Sequence, residues 1–500
     1  MDDNKKIIKV EKHKWPDEIM KEKKARRQKL LIVLACILCF VGGILVSTGL
    51  SGSSSSPIAS SGSNISADDA DKYQEIYDIL STQWYFGKDI DDIDSYLMEK
   101  AINGIANENE SDEHTQYMEP ESASSLMTSL SGSLTGIGIQ YYQMNDSILV
   151  EKVYIDSPAE EGGMKEGDII LKVDGVDIAD KEIDEIKTMI TGESGTKVTV
   201  QVKRGSDTID IEMTRAKVSV SAYGYIRDGV GVLELSSFSD NSAEEIQRYL
   251  EAFEEKGVKN IVIDLRDNGG GYVNTAIDIA GLLVGSDKVV LYQEDKDGEV
   301  TSYTTGSVDK TYEFDNMSIL VNQNTASASE LLTAALKEHL GASVVGVTTY
   351  GKGTVQNSVT FADDSIFKYT IAEWLTPSKE KIHKVGITPD YEVKLDDAVT
   401  YGSTGDENSY KVDSVGSGVG DMQMYLSFLG YNVDRKDGYF SQATLDAVKQ
   451  FQKDQGLEET GEITPDLVSS AISATARKWH DGKDTLDTQM LKALEVVSGK

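Results

Sequence analysis

Two short motifs contain the residue types that covalent catalysis needs. The first is T-A-S-A-S-E, residues 325–330, between the apolar run S-I-L-V-N and the helical pattern L-L-T-A-A-L-K-E-H-L. A serine at a strand-to-helix turn is accessible, and backbone N–H groups that can bind an oxyanion gather there. Ser327 is therefore a candidate nucleophile. Ser327 and Glu330 also match the capping box S-x-x-E that begins a helix, and the two interpretations are compatible.

A serine nucleophile requires a base, and histidine is the usual one. The chain has five histidines, at positions 13, 114, 339, 383 and 480. Position 13 precedes a membrane-like segment, positions 114 and 480 fall in a helical segment and in the tail, and His339 lies at the far end of the helix that Ser327 begins. His383, in the loop K-E-K-I-H-K-V-G, remains as the candidate histidine base.

Lysine is the alternative base, because Ser–Lys pairs are a variant of the catalytic triad. The second motif, Y-G-K-G-T-V-Q at 350–356, contains Lys352. With its approach, G-V-T-T-Y-G-K-G-T, it is close to the phosphate-binding pattern G-x-x-x-x-G-K-[ST]. However, Gly353 stands where that pattern has a hydroxyl, and T-V-Q-N-S-V-T-F is typical of a strand rather than a helix. A nucleotide site is therefore disfavoured.

Lys352 has surroundings that suit a base. The unperturbed pKa of lysine is near 10.4, and burial can lower it by up to about 3–5 units. Lys352 is the only charged residue between positions 347 and 362, and its flanking glycines allow other backbone to approach closely. Gln356 falls on the same strand face and can hold the amine without adding charge. From the pattern alone, a solvated lysine in a glycine-rich turn stays an alternative.

Taken in order, the two motifs resemble those of the carboxyl-terminal processing peptidases, also called tail-specific proteases. The resemblance covers residues 66–395. It implies that Ser327 is the nucleophile, that Lys352 is the base, and that Gln356 orients the lysine.

The same resemblance implies an oxyanion hole. L-R-D-N-G-G-G, residues 265–271, is similar to the glycine turn of that family, which implies that Ala328 and either Gly270 or Gly271 donate backbone N–H groups. W-L-T-P-S at 374–378 and K-V-G-I-T-P-D at 384–390 resemble the closing segment of the family. That match implies that His383 is a structural loop residue rather than the base.

The elements that must position these residues follow from periodicity. Residues 218–395 alternate apolar strand patterns with amphipathic helices, which predicts an α/β core, and the resemblance implies its crotonase-like, tail-protease form. Residues 66–130 have helical spacing, and 131–217 are rich in strands. The remaining predicted divisions are a basic cytoplasmic segment 1–29, a transmembrane helix 30–50, a Ser/Gly linker 51–65, a linker 396–414, a small all-α domain 415–475 and a tail 476–500.

The strand-rich segment 131–217 resembles a PDZ domain inserted into the peptidase. D-S-P-A-E-E-G-G-M-K-E-G-D-I-I at 156–170 is similar to the PDZ signature turn. G-I-G-I resembles the carboxylate-binding loop, whose N–H groups capture a peptide C-terminus, and its residues are Gly136, Ile137, Gly138 and Ile139. This predicts protein substrates with exposed C-termini.

The segment 415–475 resembles a small three-helix peptidoglycan-binding domain. The matching stretches are M-Q-M-Y-L-S-F-L-G-Y, D-G-Y-F-S-Q-A-T and V-K-Q-F-Q-K-D-Q-G-L. A generic helical interaction module is the alternative from the pattern alone. The resemblance predicts peptidoglycan as a partner.

An apolar run predicts a membrane anchor. Residues 30–50 contain no charge, and the 29 residues before them hold 11 Lys/Arg against 6 Asp/Glu. About 20 apolar residues span a bilayer, and positive flanks stay in the cytoplasm. We therefore predict a single-pass cell-membrane protein with residues 51–500 outside, and a cleaved signal peptide is the competing interpretation. Both cysteines, Cys36 and Cys39, lie in this run, so the exported part has no disulfide.

These features predict a membrane-anchored serine endopeptidase that processes substrates near their C-termini and needs no metal or cofactor. The chain has a net charge of −35, which repels nucleic acid. A non-catalytic scaffold that binds C-termini and cell wall is one alternative, and a crotonase-like enzyme acting on acyl-CoA is another. The family resemblance also suggests a homodimer.

Overall fold

The computed structural model describes residues 66–108, 112–144, 147–179 and 181–499. The predicted cytoplasmic segment 1–29, transmembrane helix 30–50 and linker 51–65 lie outside this part of the chain. Within the described ranges, no helix combines the length and the apolar character that a membrane crossing needs.

The first described segment is helical and ends in a short strand. Its elements are α1 (Ala67–Gln83), a 3₁₀ turn (Tyr85–Asp89), α2 (Ile93–Asn107), β1 (Gln116–Met118) and α3 (Pro120–Leu130). Asp92 begins α2 by accepting the N–H of Ser95, as helix-capping residues do. The strand β1 pairs with a much later strand, β18 (Ile366–Leu375), so the helical segment is attached directly to the peptidase core.

The PDZ-like segment forms its own β-rich unit. Its strands are β2 (Ser133–Gly136), β3 (Ile139–Met144), β4 (Ser147–Val153), β5 (Ile169–Val173), β6 (Val176–Asp177), β7 (Lys197–Arg204), β8 (Asp207–Thr214) and β9 (Ala216–Ser219), with helices α4 (Pro158–Glu161) and α5 (Ile183–Ile190). The main sheet has the order β3-β4-β5-β7-β8. In β7 buried residues alternate with partly buried or exposed ones, because one face of the sheet covers the apolar core of this unit.

A mostly parallel sheet forms the centre of the peptidase. Its order is β10-β11-β12-β15-β16-β19, with β10 antiparallel to β11, and the strands are β10 (Ala222–Arg227), β11 (Val230–Leu235), β12 (Asn260–Asp264), β15 (Asn316–Val321), β16 (Ser343–Gly346) and β19 (Tyr391–Glu392). Ile261 and Ile263 face the helices α6 (Ser242–Glu255), α7 (Val273–Val284) and α8 (Ala328–Leu340). Since successive side chains of a strand point to opposite faces of the sheet, Val262 faces the layer on the other side of the central sheet.

A second sheet flanks the centre, and it contains β1, β13 (Val289–Asp295), β14 (Val300–Thr304), β17 (Thr354–Thr360) and β18. The C-terminal helices follow a short helix α9 (Asp397–Thr400), and they are α10 (Ser417–Leu429), α11 (Gln442–Asp454), α12 (Pro465–Leu486) and α13 (Thr488–Ser498). The predicted small all-α domain is present in α10, α11 and the first part of α12. The segment predicted only as a tail instead completes α12 and forms α13, which covers the second face of the central sheet.

Candidate active site

Ser327 lies where the buried strand β15 turns into α8. Its backbone has φ 56° and ψ −118°, in the left-handed region that non-glycine residues rarely adopt. Its side chain is buried. Such strain is held in place by surrounding structure and is frequent at functional sites. The turn therefore fixes the serine hydroxyl at the start of α8 as a strand-to-helix nucleophile would be fixed.

Glu330 joins this turn to the lysine motif. Its carboxylate is fully buried, and Glu330 Oε2 accepts the backbone N–H groups of both Ser327 (2.9 Å) and Lys352 (2.8 Å). Glu330 Oε1 accepts the N–H of Gly351 at 2.7 Å and the hydroxyl of Thr349 at 2.5 Å. The glutamate of the predicted capping box thus does more than begin a helix, because it holds both motifs in one site. Burial raises the pKa of Glu330, and the hydrogen bonds oppose that rise.

Lys352 occupies a tightly packed loop before β17. Only 1 % of the residue is exposed, and its backbone oxygen accepts the indole N–H of Trp374 at 3.0 Å. A Cβ atom at Gly353 would lie 2.5 Å from the backbone nitrogen of His383, so only glycine fits there. A strand rather than a helix follows Lys352, which removes the helix N-terminus that a phosphate loop requires. The close approach predicted from the glycines is therefore present.

Gln356 lies on β17 beside this loop. It is buried, and its Nε2 donates to the hydroxyls of Thr354 (2.7 Å) and Thr370 (3.4 Å). Its Oε1 is buried and accepts no hydrogen bond within the described residues. An amide oxygen of this kind can accept from a lysine amine, so Gln356 has the chemistry that its predicted orienting role needs.

The glycine turn packs directly against Ser327. A Cβ atom at Gly270 would lie 2.9 Å from Ser327 Cβ and 3.0 Å from the nitrogen of Ala328. However, the N–H of Gly270 donates to Asn268 Oδ1 at 2.8 Å, whereas the N–H groups of Gly271 and Ala328 have no acceptor among the residues that the structure describes. Of the two predicted glycines, Gly271 is therefore the one with a donor available for an oxyanion.

His114 is a site residue that sequence reasoning placed among the helices and set aside. Pairing of β1 with β18 sets Gln116 opposite Lys368 and brings the preceding His114 into the core, where it is buried. Burial is the main cause that lowers the pKa of His114 to about 3, and the positive charge of Lys368 adds to it. His114 is therefore a neutral imidazole at physiological pH, and it lies close enough to Lys352 to interact with it electrostatically. No local pattern indicates this placement, because it depends on strand pairing far along the chain.

His383 and His339 fit their predicted positions. The backbone of His383 packs against Gly353, which agrees with a structural role for its loop. His339 lies near the C-terminus of α8, and its Nε2 is 2.7 Å from the oxygen of Val289.

A second, separate groove lies in the PDZ-like unit. It is a cavity of about 110 Å³ whose lining includes residues 136–139, Ile190, Thr191 and Val218. Gly138 has φ 79°, and a Cβ atom there would lie 2.3 Å from Ser157 Cβ, so only glycine allows the loop to lie this close to Ser157. The predicted carboxylate loop therefore borders a small apolar groove.

The fold and this site define a serine peptidase that contains a PDZ domain. The family model for peptidase family S41 matches residues 229–393, the PDZ model matches 149–204, and a peptidoglycan-binding domain model matches 415–470. The chain is 34% identical over 418 residues to a probable CtpA-like serine protease of Staphylococcus aureus (strain N315), covering 83% of each chain. It is also 34% identical over 431 residues to the carboxy-terminal processing protease CtpA of Bacillus subtilis (strain 168), covering 85% of this chain and 90% of that protein.

The chain therefore belongs to the carboxy-terminal processing proteases of peptidase family S41. It is a serine protease, as predicted, and neither the non-catalytic scaffold nor the acyl-CoA enzyme is retained. Among solved structures, the chain is 24% identical to the photosystem II D1 C-terminal processing protease, with a TM-score of 0.34 and coverage of 64% of this chain and 92% of that one.

Proposed function

We propose that this chain is a membrane-anchored, extracytoplasmic endopeptidase that uses a Ser327–Lys352 dyad and processes substrate proteins near their C-termini. One observation carries the dyad: a single buried oxygen, Glu330 Oε2, accepts the N–H groups of both residues. Residues 25 positions apart in sequence are thereby held as neighbours.

The reaction follows from the chemistry of these groups. Ser327 Oγ attacks the scissile carbonyl while the neutral amine of Lys352 takes the hydroxyl proton, which it then gives to the leaving amine. The N–H groups of Gly271 and Ala328 stabilise the oxyanion. Water then hydrolyses the acyl-enzyme, with Lys352 again accepting the proton. Burial disfavours the charged form of a lysine, which suits Lys352 to this role.

The PDZ groove supports the proposed choice of substrate. Backbone N–H groups of a glycine loop bind a terminal carboxylate, and the peptide adds as a strand. Ile139, Ile190 and Val218 line the groove, which favours an apolar last residue. The substrate is therefore an unfolded or flexible protein tail with an apolar C-terminus.

The proposed location rests on the sequence and on the last domain. The apolar run 30–50 with its basic flank supports a single-pass anchor with a cytoplasmic N-terminus. The peptidoglycan-binding domain at 415–470 would then meet the cell wall on the same side as the peptidase. In intact cells, added protease should degrade residues 66–500 only after the wall is removed. Degradation only after membrane lysis would refute the location.

The dyad is tested by substitution. The purified chain should cleave an unfolded protein with an apolar C-terminus, and Ser327→Ala or Lys352→Ala should each lower kcat at least about 10³-fold. Ser358→Ala on β17 and Lys337→Ala on α8 are matched controls outside the site. If either dyad variant cleaves as fast as the parent, the assignment is wrong. Amidation of the substrate C-terminus should raise KM, because it removes the carboxylate that the PDZ groove binds.

A further inference from the structure

The C-terminal helix α13 is an integral layer of the peptidase. Its apolar residues Met490, Ala493, Leu494 and Val497 pack against the central sheet, where they cover Val262 and the residues beside it. Val262 precedes the loop of the glycine turn by only a few residues. The segment that follows the peptidoglycan-binding domain in sequence therefore packs against the central sheet of the peptidase.

A mostly buried ion pair connects α13 to the glycine turn. The guanidinium of Arg266, the second residue of L-R-D-N-G-G-G, contacts both carboxylate oxygens of Asp487 at 2.9 Å each. It also contacts Asp264 through Nε and Nη2, and Gln489 Oε1 at 3.2 Å. The Arg266 and Asp487 side chains are only 14% and 5% exposed. A two-pronged contact of this kind fixes orientation as well as distance.

The same loop leads from Arg266 to the oxyanion donor. Asp267 has φ 59°, and its N–H donates to Asn322 Oδ1 at 2.9 Å. The backbone oxygen of Asn268 accepts the N–H of Ala326 (3.1 Å) and the hydroxyl of Ser329 (2.9 Å). Asn268 is only two residues from Arg266, and it contacts Ala326 and Ser329, which lie on either side of Ser327. A displacement of Arg266 can therefore move the backbone around the nucleophile.

We propose that Arg266 and Asp487 are a positioning pair that holds the glycine turn, and that α13 thereby sets the geometry of the oxyanion hole. The proposal rests on the function proposed above, since it takes Gly271 and Ala328 as the oxyanion donors. It gives residues 487–499 a role in catalysis, although they follow the peptidoglycan-binding domain in sequence. Neither side chain belongs to the dyad or donates to the oxyanion, so both act through the loop.

Asp487→Asn separates this role from helix capping. Asp487 also begins α13 by accepting the N–H of Met490 at 3.0 Å, and asparagine is an equally good N-cap. The substitution therefore removes one of the two carboxylate charges that hold Arg266, leaves the contact with Asp264, and keeps the cap. The matched control is Asp484→Asn, which removes an exposed carboxylate paired with Arg227 at 3.2 Å, three residues earlier in the chain.

The experiment compares these variants in the full chain. Loss of one oxyanion donor costs about 10²–10³ in kcat, and partial displacement should cost less, so Asp487→Asn should lower kcat about 10-fold. KM and the affinity of a C-terminal peptide for the PDZ groove should stay within about twofold. A peptide aldehyde, whose serine adduct carries the oxyanion, should bind about 10-fold more weakly. Asp484→Asn should match the parent in all four measurements.

Three results separate the possible failures. If folded Asp487→Asn keeps the parent's kcat and aldehyde affinity, the positioning role is refuted. If its kcat falls only as far as the unfolded fraction measured by circular dichroism, the pair is structural and the proposal is likewise refuted. If Ser327→Ala retains the parent's activity, the proposed function fails first, and that result does not depend on Asp487.

Discussion

Glu330→Gln tests whether the buried carboxylate assembles the dyad. In the parent, two carboxylate oxygens accept four hydrogen bonds, two of which come from the N–H groups of Ser327 and Lys352. Glutamine has the same shape but only one acceptor oxygen, and its NH₂ group must face two donors. With the NH₂ group toward Ser327 and Lys352, both of their bonds are lost. With it toward Gly351 and Thr349, the Gly351 bond is lost and the Thr349 hydroxyl can turn to accept from the amide.

The cost in stability follows from the number of bonds lost. Each buried donor that is left unsatisfied costs about 1–3 kcal/mol, so one or two of them cost about 1–6 kcal/mol of unfolding free energy. Removal of a buried charge offsets part of this cost, since burial raises the pKa of Glu330. We expect a net loss of about 2–4 kcal/mol. Since a displacement of about 1 Å in a reacting group can cost 10²-fold in rate, kcat should fall about 10²-fold in the folded variant.

A second buried glutamate provides the control. Glu245 is equally buried in the same core, and its carboxylate accepts from Ser221 N (3.1 Å), Ala222 N (3.0 Å) and Ser221 Oγ (2.8 Å). Burial also raises its pKa. A glutamine at this position can keep both N–H bonds and place its NH₂ group at the Ser221 hydroxyl, which can accept. Glu245→Gln should therefore destabilise the chain less than Glu330→Gln in urea unfolding and keep kcat within about threefold. Equal kcat losses in the two variants, measured under conditions in which both are folded, would refute the special role of Glu330.

Three further predictions concern His114, the PDZ groove and the Lys352 loop. Burial, with a smaller contribution from the charge of Lys368, lowers the pKa of His114 to about 3. As pH falls below 6.5 the unfolded chain therefore takes up a proton that the folded chain does not, and the free energy of unfolding decreases by up to about 1.4 kcal/mol per pH unit between pH 6.5 and 3. His114→Gln should flatten urea-derived stability over that range, and an unchanged slope would contradict this. Gly138→Ala places a Cβ atom at 2.3 Å from Ser157, so it should weaken binding of a C-terminal peptide at least about 10-fold in fluorescence anisotropy and leave the unfolding midpoint of the peptidase core unchanged. Trp374→Phe removes the N–H bonded to the Lys352 oxygen, which should cost about 1 kcal/mol and lower kcat a few-fold, and a parental kcat would show that this bond does not hold the loop.

Much of the site could be predicted because its residues lie on local elements. The apolar run before Ser327 and the helical spacing after it indicate β15, a turn and α8 from periodicity alone, and the structure has these elements. The alternating pattern after Lys352 indicates β17, which the structure also has. Motifs at the ends of parallel strands meet at one edge of a sheet, so their proximity follows from the α/β pattern.

What could not be predicted depends on contacts between distant segments. His114 reaches the site only because β1 pairs with β18, and no local spacing encodes that pairing. The choice between Gly270 and Gly271 depends on which N–H the side chain of Asn268 accepts, a detail of rotamer and turn geometry. The second function of Glu330 is hidden for a similar reason, since a capping box predicts its bond to Ser327 but not its bond to Lys352.

The placement of α13 changes how the wall-binding domain can be separated from the peptidase. A truncation before residue 415 removes that domain and also uncovers the apolar sheet face formed by Val232, Val262, Leu320 and Val345. Exposure of buried aliphatic side chains costs about 1.5–3 kcal/mol each, which approaches the whole stability of a typical domain. Loss of activity in such a truncation would therefore not show that wall binding drives proteolysis. The peptidoglycan-binding domain lies in sequence between β19 and α13, which both contact the central sheet. Its contribution to activity must therefore be measured by surface substitutions that leave α12 and α13 intact.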